Sequence, residues 1–99
     1  MTKIKKLAEH IEEEICGAKE YAEKYVECKA KVDTAWANRY KEMANDELKH
    51  AGYLHDKAIQ EIEEISKVFT PTEEMEEKWE KCHKKYVEQT AWIKQMLAM

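Results

Sequence analysis

The chain has 99 residues with only two glycines and one proline, and no interior stretch is rich enough in Gly, Pro or Ser to act as a linker, so a single domain over residues 1–99 is expected. Its formal charge is −4, with lysine and glutamate interspersed, and the absence of a basic stripe able to neutralise a run of phosphates argues against nucleic acid as a partner. The opening MTKIKKLAEHIEEEI lacks the unbroken apolar core of a signal peptide, and no run of about 18 apolar residues occurs anywhere, so no membrane segment and a cytoplasmic location are expected.

Charged residues make up 38% of the chain and hydrophobic ones 43%. That is enough for apolar helix stripes and too little for an extensive core, so self-association is expected. The three cysteines, Cys16, Cys28 and Cys82, stand far apart without CxxC spacing. Their odd number argues against a complete disulfide framework and makes reduced thiols the default.

Three long helices are predicted. The first covers about residues 3–29, where Ile4, Leu7, Ile11, Ala18, Tyr21 and Tyr25 recur at three- and four-residue steps. Asp33 reads as the N-cap of the second, whose stripe of Trp36, Tyr40, Met43, Leu54, Ala58, Ile62 and Ile65 carries it to about Ser66. Gly52 lies inside it at modest cost. In the run Thr70, Pro71, Thr72, Glu73, a cap at Thr70, proline in the first helical position and Glu73 three residues after the cap spell a capping box. The third helix then carries Met75, Trp79, Cys82, Tyr86, Ile93 and Leu97 nearly to the C-terminus. The short first connection makes helices one and two an antiparallel hairpin. No fixed-period internal repeat is evident.

The informative residues are charges on apolar faces, because a carboxylate there is costly unless it is paired or metal-bound. At about 100° per residue, Glu47 falls in the middle of the second helix's stripe, between Met43 and Ala51, and His50 lies within about 60° of it. DELKH therefore offers a carboxylate and an imidazole to one point in space. On the first helix Glu9, Glu12, Glu13, Glu20, Glu23 and Glu27 project to the polar side, whereas Glu14 joins the inner arc of Leu7, Ala18, Tyr21 and Tyr25. With a turn near Lys31, Glu14 and Glu47 come to nearly the same height and should face each other. A Glu on one helix and Glu-x-x-His on its neighbour form the half-site of di-iron and di-manganese bundles. Carboxylate oxygens with one imidazole suit Fe or Mn better than Zn.

On these residues the chain resembles the ferritin-like superfamily. EICGAKEY (residues 14–21) followed by DELKH (residues 46–50) is similar to the first half of rubrerythrin-like and ferritin proteins. There the helix-one glutamate is followed seven residues later by a tyrosine, as Glu14 is by Tyr21, and the ExxH begins at about the interval that separates Glu14 from Glu47. The resemblance covers about residues 4–66. It implies an all-α, ferritin-like bundle, metal ligation by Glu14, Glu47 and His50 with Glu47 bridging, and a ferroxidase or iron-handling role. Full-length relatives carry a second glutamate helix and a second ExxH helix, which this chain lacks. The Glu80 and His83 of helix three formally repeat the motif, but Glu80 lies about 100° from Trp79, towards the polar side. The simpler completion is a homodimer in which two hairpins share one centre holding two Fe ions, or Mn. Encapsulated ferritins resemble this arrangement in architecture.

Plainer readings stand beside it. Glu47 could pair with Arg39 or a lysine, and His50 with Asp46 or Glu47. His10 and His55 read as solvated residues outside the site, and Tyr21, Tyr25, Trp36 and Trp79 as packing residues. A metal-free helical interaction module is the alternative function. A rubrerythrin-type peroxidase is disfavoured by the absence of the CxxC pairs of a rubredoxin module. All-helical nucleotide pyrophosphohydrolases are disfavoured by the absence of their EExxE and ExxD pattern.

Overall fold

The computed structural model describes residues 2–99 and is all-helical. It comprises α1 (Thr2–Ala30), α2 (Thr34–Ser66) and α3 (Glu73–Leu97), with no strand among the described residues. The helices lie side by side in a rod of 55 × 17 × 17 Å. Its length is close to the roughly 50 Å that the 33 residues of α2 span at 1.5 Å each. As expected, α1 and α2 form an antiparallel hairpin. α3 runs back alongside α1, with Lys85 bonded to Glu12 and Lys29 to the carbonyl of Met99.

The hairpin turn is tight. The N–H of Asp33 donates to Cys28 O at 2.8 Å and that of Val32 to Lys29 O at 3.1 Å, the double closure of a Schellman cap. Val32 takes the left-handed position of this cap, φ 60°, where glycine is usual and a β-branched residue is strained. Asp33 also starts α2, its side chain accepting from Trp36 N.

The start of α3 differs from the expected capping box. Thr72, extended at φ −73° and ψ 155°, is the N-cap and accepts from Met75 N. Neither Thr70 nor Pro71 belongs to the helix. The later start places Glu73, Glu74 and Glu76 in the first turn, where three carboxylates meet the positive end of the helix dipole.

The core departs from the predicted stripe on α2. Its buried residues are Ala37, Ala44, Ala51, His55 and Ala58, whereas Trp36 is 47% and Met43 37% exposed. At 100° per residue the buried face is turned by about 60° from the large-residue stripe. Small size explains this. Alanines at seven-residue spacing let the backbone of α2 approach Ile4, Ile11, Ile15, Ala18, Ala22 and Tyr25 of α1, and larger side chains on that line would hold the helices apart. Ile93, Met96 and Leu97 of α3 close the other end of the core.

The hairpin is thereby two-sided. α3 covers one side, its Tyr86 hydroxyl close to Gly52 and its Cys82 near Ala8. The opposite side carries Trp36, Tyr40, Met43 and Glu47 of α2 with Glu14 and Tyr21 of α1, at helix angles roughly 120–180° from Gly52 and Ala8 on their own helices. Among the described residues no helix is long and apolar enough to cross a membrane.

Candidate metal centre

On the side away from α3, the structure brings together the residues that the sequence singles out. Glu14, Glu47 and His50 each offer one ligand atom, and these atoms lie within 4.8 Å of one another. Their positions follow from the hairpin register, which also sets Tyr21 against Tyr40 with ring centroids 6.3 Å apart and Lys3 against Glu61 at 3.0 Å. The carboxylates are half-buried while His50 is exposed, so the trio is open to solvent on the His50 side. Glu9, Glu12, Glu13, Glu20, Glu23 and Glu27 all point to solvent, which leaves Glu14 the odd one out, as the pattern implied.

The two carboxyl groups shift each other in opposite directions. The hydrogen bond with Glu47 holds the Glu14 carboxyl below its ordinary range, against the opposing effect of burial and with help from the imidazoles of His50 and His10. The same bond, burial and the charge of Glu14 push Glu47 up. Two acids this close cannot both ionise cheaply without a cation between them. Among the described residues no lysine or arginine forms an ion pair with either acid. Glu14 is met by His10 Nε2 at 3.2 Å and His50 Nδ1 at 3.6 Å, and Arg39 lies instead over the Trp36 ring at 4.8 Å. The plain alternative of a Glu47–Arg39 ion pair therefore does not occur.

Gly17 completes the cradle. A Cβ on Gly17 would stand 3.4 Å from Glu47 Oε2, so the carboxylate of α2 lies directly over the backbone of α1. Sequence reasoning passed over Gly17, although a glycine one turn from Glu14 was the available signal. The set suits a divalent ion: two carboxylates that lack a cation, one imidazole with solvent access, and a backbone cleared for close approach.

Of the other histidines, His10 is exposed as expected and stands outside the cluster of three, with its Nε2 3.2 Å from Glu14 Oε1; His55 departs from expectation. His55, read as solvated, is only 8% exposed. It stacks on Tyr86 at 4.2 Å and shares a 2.8 Å hydrogen bond with His83, because the turn that buries the alanine face carries position 55 under α3. Burial first, and His83 second, push its pKa down. His83 is thus engaged on the far side of the hairpin, and Glu80 is exposed. The formal ExxH of α3 takes no part in the Glu14 cluster.

Comparison of the chain with protein-family models, with curated proteins and with solved structures finds no match.

Proposed function

We propose that this chain is one half of a ferritin-like di-metal protein, in which two copies pair through the hairpin side that α3 leaves uncovered. Each copy contributes Glu14, Glu47 and His50 to a centre of two Fe ions, or Mn, that serves Fe(II) oxidation or iron handling. The observation that carries this reading is the convergence of three ligand atoms within 4.8 Å on a pair of acids with no lysine or arginine partner among the described residues. Exposed Met43, one turn from Glu47, and exposed Trp36, three turns away along the same edge of α2, support pairing on that edge, since large apolar residues flanking a polar centre are what a dimer interface buries.

Within such a centre the chain's own residues have distinct tasks. Glu14 and Glu47 would hold the cation through their carboxylate oxygens, and its charge would lower the raised pKa of Glu47. His50 supplies the nitrogen on the solvent side. Tyr21 and Tyr40, two turns along the hairpin from the carboxylates, stack on each other and help fix the register that sets Glu14 against Glu47. Two Fe(II) ions held there would supply, one electron each, the two electrons that with two protons from solvent reduce one hydrogen peroxide to two waters.

The test is metal content and assembly together. Protein purified without an affinity tag is expected to hold about one Fe or Mn per chain, and sedimentation is expected to show a dimer that loosens on chelation. Glu47→Gln is expected to lose the metal and the metal-dependent association. Equal metal binding by Glu47→Gln and the parent chain rejects the reading.

A second reading is a metal-free interaction module. It draws support from Val87 and Trp92 of α3, about half exposed, and from Val68 and Phe69 in the α2–α3 turn, 73% and 68% exposed. Association that persists in chelator and disappears on Trp92→Glu selects it.

A further inference from the structure

The Glu14 carboxylate is bracketed by two imidazoles, one on each oxygen: His10 Nε2 lies 3.2 Å from Oε1 and His50 Nδ1 3.6 Å from Oε2. His10 and Glu14 are one turn apart on α1, a spacing at which two side chains of one helix reach the same point. The His10 side chain is 51% exposed, so it has room to turn towards an ion held by the trio. His50 is similarly open at 54%. No lysine or arginine among the described residues ion-pairs with Glu14 and competes for that oxygen.

We propose that His10 is a fourth metal-binding residue, so that a single chain presents two imidazoles and two carboxylates and takes up a divalent transition-metal ion before a second copy arrives. The inference rests on the metal-centre reading above and deepens it in two ways. It orders the steps, with loading on the monomer preceding assembly. It also changes selectivity, because a second nitrogen favours Co, Ni, Cu and Zn over Mn, whereas a set with one imidazole and two carboxylates discriminates less.

The experiment uses the full chain, at a concentration where sedimentation shows a monomer, and titrates Co(II) and Mn(II) calorimetrically into the parent, His10→Gln and Glu47→Gln. Glutamine keeps the helix propensity of an exposed position, and circular dichroism checks that both variants retain their helices. His10→Gln is expected to weaken Co(II) by at least about tenfold and Mn(II) by less than about threefold. The electron paramagnetic resonance of bound Cu(II) is expected to show one imidazole nitrogen fewer. Co(II) affinity within about twofold of the parent, or equal losses for Co(II) and Mn(II), overturns the role of His10. If Glu47→Gln abolishes binding in that case, the metal centre itself stands. Unchanged binding in Glu47→Gln removes the centre, whatever His10 does.

Discussion

His55 joins α2 to α3, and His55→Phe separates its packing from its polarity. Phenylalanine keeps a ring against Tyr86 and Trp79, which lie 4.2 and 5.4 Å from the imidazole centroid, but cannot bond His83. At pH 7 the lost hydrogen bond, and the polar nitrogen left on His83, cost about 1 kcal/mol. In a chain of 99 residues this lowers the melting temperature by about 4–8 °C. Acidification reverses the balance. Burial and His83 depress the His55 pKa, with Asp56 opposing, so the unfolded chain binds the proton more readily than the folded one. The stability tied to a neutral His55 is then full above the unfolded value of about 6.5 and is lost as pH falls towards the folded value. The gap between parent and variant should therefore narrow as pH falls from 7 to 5. Urea unfolding followed by circular dichroism in chelator, at pH 5, 6 and 7, measures the difference. A gap independent of pH would refute the burial of a neutral imidazole at this position.

Other outcomes follow from the same structure. Glu47→Gln retains a donor to Glu14 through its amide and removes the competition for one proton, so the metal-free protein at pH 7 should be unchanged or up to about 1 kcal/mol more stable by thermal melting, where deletion of a structural ion pair would destabilise it. Val32→Gly should raise stability by about 1 kcal/mol in urea unfolding, since glycine takes φ 60° without the side-chain clash. Thr72→Ala should cost about 1 kcal/mol and Thr70→Ala under about 0.5, a pair of melts that locates the start of α3. Ala44→Leu, at a position with no exposure, should lose about 1–3 kcal/mol by forcing α1 and α2 apart.

Much of the site was legible because it depends on short-range geometry. Glu14, Glu47 and His50 belong to a single hairpin with a short turn, so helical pitch and the distance from the turn were enough to set them at one height. The register needed nothing from α3. His10 and Gly17 were harder to see. Each lies one turn from Glu14, but whether a neighbour one turn away touches a carboxylate depends on which rotamer that carboxylate takes across the interface. The pairing of His55 with His83 was invisible for a different reason, since it joins residues whose proximity depends on how α3 lies on the hairpin.

The sequence by itself determined three helices, the hairpin, the polar side of α1 and the inward turn of Glu14, because periodicity, caps and turn length are local properties of the chain. Only the tertiary structure decided which side of α2 is core. Hydrophobicity pointed to the stripe of Trp36, Tyr40 and Met43, whereas close packing chose the alanines at 37, 44, 51 and 58, which are small enough for the two helices to meet. That rotation of about 60° carries His55 under α3 and leaves Glu47, Trp36 and Met43 along the uncovered edge, where the candidate centre lies. Side-chain volume at a shared interface is a property of two surfaces together, and no single helix's pattern contains it.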